Sequence, residues 1–309
     1  MSTAHSQITE TPTQIVFNRF LRHRLAVISA AILGLLVLLA LAAPLIEAAL
    51  GIDADAVNLF GRYAPASAEH LLGTDELGRD VLLRLLYGGR VSLFVGLTAT
   101  ITVAIIGTTI GLLSGYIGGR VDALFMRITD GVISLPVLPL LIVLAAVDLG
   151  KVGLPESMIG SENVSLYRII AIVALVGWTT VARLVRATPL GLKARPFILA
   201  ARAQGAGSIR IMLRHILPNL ASTIIVATTL SVGNVILLES VLSFLGLGIQ
   251  PPLPSWGNLL TGAQETIWAS PGLAFYPGLL IFVTVIAFNF IGDGLQDALD
   301  PRAQDRRGG

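Results

Sequence analysis

The sequence predicts an all-α polytopic membrane protein with six transmembrane helices, and three observations carry that prediction. First, 54% of the 309 residues are hydrophobic and 13% are charged, with a mean hydropathy of +0.81, whereas an ordinary soluble domain carries roughly 25% charged residues. Second, apolar stretches long enough to cross a bilayer, about 20 residues each, recur along the chain. Third, Lys and Arg are distributed unevenly among the segments between those stretches.

Taken in order, residues 1–24 read as a cytoplasmic amino-terminal tail and 25–50 as a first transmembrane helix, apolar except for Glu47. Arg19, Arg22 and Arg24 ahead of a run containing Ala40-Leu41-Ala42 have the outline of a secretory signal. The run is longer than the usual apolar region of about 7–15 residues, which favours a retained span. Residues 51–90 form an outer, periplasmic loop, followed by an uncharged span at 91–117 and a third at 124–147 with Asp130 inside it. The fourth span, 166–185, is short of apolar length. Only 14 uncharged residues separate Arg168 from Arg183, about 21 Å at roughly 1.5 Å per residue, so both arginines are expected to snorkel outward. Spans five and six lie at 217–247, with Glu239 inside, and 271–292; residues 298–309 form a carboxy-terminal tail.

Six spans place both termini on one side. With them lie three basic residues of the amino-terminal tail, Arg120 and Arg127, seven between Arg183 and Arg214, and three of the carboxy-terminal tail, 15 of the 21 in all. The other side holds six. Because Lys and Arg in short loops stay on the cytoplasmic side, both termini are expected in the cytoplasm.

Charges inside spans are few enough to treat singly. Glu239 costs several kcal/mol in lipid unless it meets water or a partner; it is read either as part of a translocation pathway, with Asn234 a neighbour, or as a hydrogen-bonded structural carboxylate. Asp130, near the cytoplasmic boundary, reads as structural. Gly107, Gly111, Gly115 and Gly119 recur every four residues and clear one helix face for close packing, against this chain or a partner. In the outer loop, HLLGTDELGRD (70–80) turns at Gly73 and is expected to start a helix near Thr74 or Asp75. A capped, solvated loop accounts for His70, Asp75, Glu76 and Asp80, and no metal site is expected there.

Several chemistries are missing from the sequence. There is no cysteine, no HExxH, no GxSxG, and the only Gly-Lys pair, Gly150-Lys151, lacks the glycine and hydroxyl of a phosphate-binding loop. The chain is therefore expected to be a non-enzyme without a cofactor of its own. The most basic of the expected cytoplasmic loops instead contains LAARAQGAGSIRIMLRHILPN (199–219), which overlaps a coupling segment expected at 195–214. Pro196 suits the first turn of a short helix and Gly205 a left-handed cap. Ser208 is expected to cap a second short helix, and Leu217-Pro218 to open the fifth span. Phe197, Ala200, Ala201 and Gln204 share one side of the first helix. From the residues alone, that side suits a protein partner or, through the arginines, anionic lipid headgroups.

The pattern Ala200-Ala201, Gly205, Leu217-Pro218 resembles the EAA loop of bacterial ABC-importer permeases, with Leu199 where that motif carries glutamate. HLLGTDELGRD, SFLGLGIQPPLPSWG (243–257) and NFIGDGLQDALDP (289–301) look like the dipeptide, oligopeptide and nickel permease family, DppC/OppC type, over about residues 15–302. The resemblance implies the type I importer permease fold, with the first helix and outer loop preceding a transmembrane domain over 91–297. It implies a location in the bacterial inner membrane, a sister permease of the DppB/OppB type, an extracytoplasmic solute-binding protein, and two cytoplasmic subunits that hold ATP and Mg. In it, Phe197, Ala200, Ala201, Gln204, Gly205, Leu217 and Pro218 belong to the segment that meets the ATPase. Membrane lipid is an expected neighbour and nucleic acid is not. The rival reading is a self-sufficient ion-coupled transporter or channel using Glu239 and Asp130.

Overall fold

The computed structural model describes residues 11–151, 153, 155, 161 and 163–300. Most of the carboxy-terminal tail, the first ten residues and part of the long loop at 148–165 lie outside them.

The expected amino-terminal tail is not a tail throughout. Helix α1 (Pro12–Arg22) begins at a capping box in which Thr11 N–H donates to Gln14 Oε1 at 2.9 Å and Gln14 N–H donates to Thr11 Oγ1. After a break at His23, α2 (Arg24–Leu41) and α3 (Ala43–Leu50) replace the single helix expected over 25–50, with Gly51 closing α3 in the left-handed conformation. Glu47 accepts hydrogen bonds from the Tyr87 hydroxyl and, at 2.8 Å, from Ala54 N–H.

The outer loop ends ten residues earlier than expected. Asp75 accepts bonds from the backbone of Leu77 and Arg79 and so stabilises a turn, and the residue that starts the next helix is Asp80, which accepts from Leu83 N–H at 2.8 Å. Helix α4 (Val81–Ile117) has 37 residues, about 55 Å at about 1.5 Å per residue, so it projects well past a hydrocarbon core of roughly 30 Å. Arg84 fits in this extension because its Nη1 donates to Asp55 at 2.8 Å.

The third span is broken. Helices α5 (Gly119–Ser134) and α6 (Val137–Ala145) meet at 90°, because Pro136 disfavours helical geometry at Leu135 and cannot continue the backbone ladder. The fourth, α7 (Val164–Leu192), runs past both ends of the expected 166–185. Its arginines do not simply snorkel: Arg183 pairs with Asp130 at 2.5 Å and Arg168 donates to the Leu247 carbonyl at 3.4 Å.

On the cytoplasmic side by the charge argument come α8 (Pro196–Ala203) and α9 (Ser208–Ile211). Ser208 is not a cap; Gly207 precedes the helix and no side chain closes its first turn. The fifth span does open at Leu217-Pro218, as expected, with no break before it. A π turn over Met212–Ile216 joins α9 to α10 (Leu217–Phe244), and Leu217 N–H reaches back to Met212. Pro218 has no N–H to offer the preceding turn, and a π turn is the local adjustment that keeps such a backbone paired. The outer loop that follows carries a one-turn helix, α11 (Ala263–Thr266), before α12 (Gly272–Leu299), which extends well beyond the expected 271–292.

The glycine stripe fixes how these helices run. A Cβ on Gly107, Gly111 or Gly115 would sit 2.5–2.7 Å from the carbonyl oxygens of Trp178, Ala182 and Arg186 respectively. The two series rise together, so α4 and α7 are parallel, and the chain between them must cross back. The bent α5–α6 pair is therefore a span, which makes six among the described residues, and the end of α12 meets the start of α2 where Gly294 lies against Ala26. Gly119 is not part of the stripe: nothing lies near it, and it serves the left-handed turn between α4 and α5. Elsewhere Ser92 and Gly96 of α4 meet Glu239 and Ile236, and Gly233 meets Val285, so α10 is antiparallel to α4 and α12. The stripe packs within the chain.

Candidate functional site

Helix α8 is held from beneath and open above. Ile198 points inward with no exposure and joins Ile211, Ile216 and Leu220 in an apolar cluster with Leu112 and Tyr116 of α4 and Val181 and Val185 of α7. On the opposite side Phe197 (45% exposed), Ala200 and Gln204 are open to solvent, as is Leu199 at the departure from the motif, while Ala201 turns partly inward. The helix stops at a Schellman motif. Gly205 N–H donates to Arg202 O and Ala206 N–H to Ala201 O, both at 3.0 Å, with Gly205 at φ +85. Leu217 and Pro218 lie past the π turn, at the start of α10, so they shape the exit of the segment rather than its open face.

The basic residues of this segment have different employments. Arg202 folds back, its guanidinium lying 5.9 Å from the Tyr116 ring centroid and its Nη2 donating to the Tyr116 hydroxyl at 3.3 Å. Arg210 and Arg214 face outward. Nothing in the local sequence shows the Tyr116 contact, because 86 residues separate the partners. Just beside it, Arg186 grips Asp122 with two bonds, Nε to Oδ1 at 2.5 Å and Nη2 to Oδ2 at 2.6 Å, and Ser114 donates its hydroxyl to the same carboxylate. Paired planar groups of this kind are the stronger class of ion pair. The sequence reading missed all three residues.

Glu239 lies at the other end of the bundle, with no exposed surface. It accepts from Ser243 Oγ at 2.7 Å, Ser92 Oγ at 3.2 Å and Ser240 Oγ at 3.5 Å. Two of those hydroxyls accept in turn from the outer loop: Ser243 from Ile249 N–H at 3.0 Å and Ser92 from Trp256 N–H at 3.1 Å. Trp256, also buried, rests on Gly88 and Gly89 and donates its indole N–H to Leu85 O at 3.0 Å. One carboxylate thus ties α10, α4 and the loop together. Asn234 is not its neighbour; five residues along a helix turn it to an exposed face. Asp130 is paired with Arg183 on another helix, so the two acidic groups of the ion-coupled alternative do not form a common site.

The acidic residues of the 70–80 loop are absorbed locally: His70 Nδ1 lies 3.0 Å from Asp80 Oδ2, and Arg79 pairs with Asp75 at 2.7 Å and Glu76 at 3.6 Å. Asp75, Glu76 and Arg79, with the neighbouring loop at 246–266, line an outer cleft of about 570 Å³.

A six-span helical body with a short amphipathic knuckle braced on one side and a sealed loop on the other defines a membrane-embedded transport component. The chain belongs to the family described as binding-protein-dependent transport system inner membrane components, which matches residues 107–305. A second family description, the N-terminal TM domain of oligopeptide transport permease C, matches residues 11–60. Within the family the chain is 38% identical to the dipeptide transport system permease protein DppC of Alkalihalophilus pseudofirmus, over 94% of this chain and 90% of that protein. It is 37% identical to the oligopeptide transport system permease protein OppC of Bacillus subtilis (92% and 88% covered). It is 40% identical to the glutathione transport system permease protein GsiD of Pectobacterium atrosepticum (94% and 92% covered). It is a multi-pass inner-membrane permease component of an ABC importer.

Proposed function

We propose that this permease forms half of the translocation pathway for peptides or a related small solute, beside a sister permease. Solute arrives from an extracytoplasmic binding protein, and two cytoplasmic ATPase subunits, which hold ATP and Mg, drive the cycle; this chain makes and breaks no covalent bond. The substrate class rests on relatives named for dipeptide, oligopeptide and glutathione transport. The orientation, both termini cytoplasmic, rests on the 15 basic residues gathered on that side. Asn234, on the open face of α10, is the candidate lining residue, and Glu239 acts behind it by holding the outer loop in place.

The observation that carries the mechanism is the open face of α8. Phe197, Ala200 and Gln204 offer a shallow surface that a groove on an ATPase can cover, with Ala201 at its inner edge and Gly205 setting its end. ATP-driven closure of the partner pair drags this knuckle, and packed helices move with it as rigid bodies. Substituting Gly205 with valine tests this. Nothing crowds the position, so the effect is conformational: a left-handed non-glycine residue costs about 1–2 kcal/mol, and the turn re-forms with α8 displaced. The variant is expected to insert and assemble, hydrolyse ATP and fail to import. Normal ATP-driven import by Gly205→Val overturns the reading.

A further inference from the structure

The knuckle is useful only if its displacement reaches the spans. Beneath α8 the structure offers two kinds of contact. The apolar cluster around Ile198 and Ile211 is non-directional and pairs no atom with a particular partner. The polar contacts are directional. Asp122, at the start of α5, receives two guanidinium bonds from Arg186 near the end of α7 and one hydroxyl bond from Ser114 at the end of α4. Tyr116, two residues beyond Ser114, receives Arg202 of α8. Side-chain exposure of 16% for Asp122 and 33% for Arg186 makes the pair partly desolvated, where screening by water and salt is weaker. Gly115, between Ser114 and Tyr116, lies against the Arg186 carbonyl, so α4 and α7 cannot shift relative to each other without opening the contact.

We propose that Asp122, Arg186 and Ser114, with Arg202 on Tyr116, form a latch that makes the knuckle and the cytoplasmic ends of α4, α5 and α7 one rigid lever, so that pulling on α8 swings three spans. These are positioning residues; none touches solute or nucleotide. The proposal rests on the reading of α8 as the ATPase contact, and the test separates the two. Because the chain contains no cysteine, a single Phe197→Cys reports on α8 alone. The full transporter, with its ATPases and binding protein, is reconstituted in vesicles with Asp122→Asn, with Arg186→Gln and with the exchanged pair Asp122→Arg/Arg186→Asp. Three quantities are measured: crosslinking of residue 197 to the ATPase, ATP hydrolysis, and solute imported per ATP.

The latch predicts that each single variant keeps the crosslink and hydrolysis while import per ATP falls about tenfold, inside the 5–150-fold range of typical coupling energies. It predicts that the exchanged pair recovers most of the loss. A purely structural role lowers assembly, crosslink and hydrolysis together, and that result overturns the latch. Unchanged import per ATP in Asp122→Asn and Arg186→Gln, with the crosslink present, overturns the latch alone. Absence of the crosslink in a transporter whose latch is intact overturns the α8 reading and the latch with it.

Discussion

Replacing Gly111 with alanine adds a single methyl group to the close backbone-to-backbone seam between α4 and α7. Its Cβ would lie 2.5 Å from the carbonyl oxygen of Ala182 and 2.9 Å from Cβ of Val185. Backbone carbon–oxygen contacts settle at about 3.3–3.6 Å, so α4 and α7 must part by roughly 0.8 Å to admit it. A gap of about that size forfeits a quarter to a half of each contact's dispersion energy along the seam, and the whole change belongs with overpacked cores, at about 1–3 kcal/mol. The helices cannot give way side by side, because the next carbonyls meet Gly107 and Gly115 just as closely. The assay is thermal denaturation of the purified protein in detergent. Gly111→Ala is expected to lower the midpoint, and Gly107→Ala added to it to lower it by less than its own single effect, since the seam is already open. Gly191→Ala is the control: it lies at the end of α7 with nothing within 4 Å of its added methyl, and is expected to leave the midpoint unchanged or raise it, by up to about 1 kcal/mol of helix propensity. A wild-type midpoint for Gly111→Ala, or an equal fall for Gly191→Ala, refutes the close-packing argument.

Glu239→Ala removes the shared acceptor of three buried hydroxyls, each worth about 1–3 kcal/mol if left unsatisfied, and is expected to lower the denaturation midpoint more than Glu239→Gln, which keeps one carbonyl oxygen; equal midpoints would argue against a structural tie. Trp256→Phe loses the indole bond to Leu85 at about 0.5–1.5 kcal/mol and should expose the loop at 245–262 to added protease in vesicles with the outer face outward. Single cysteines on the cysteine-free chain read the orientation: Trp268→Cys, at a position 94% exposed, should react with an impermeant maleimide from outside, and Phe197→Cys only after the membrane is opened. The reverse pattern would invert the topology.

The limits of the sequence reading are physical and fall on particular residues. A charged residue does not by itself mark where a helix ends. Arg84 and Arg90 pushed the predicted start of α4 out to residue 91, although Arg84 is paired with Asp55 and the helix continues past the bilayer. Pro136 was legible as a helix breaker in principle, but a run of apolar residues on both sides of it read as one straight span. Glu239 was identified as a residue in need of a partner, yet its partners come from Ser92, 147 residues away, and from its own helix at Ser240 and Ser243.

Composition and pattern alone determined that this chain lives in a bilayer, crosses it with helices, and gathers most of its Lys and Arg on one side. Those follow from the cost of exposing backbone and charge to hydrocarbon, which depends on what each segment contains and not on what it meets. Only the tertiary structure decided that α4 and α7 run parallel, that the bent pair between them counts as a span, and that Asp122, Arg186 and Ser114 converge beneath the knuckle. Each of those depends on which residues distant in the chain come within a few ångströms, and contact between helices is set by the complementary shapes of their faces, which no single segment encodes.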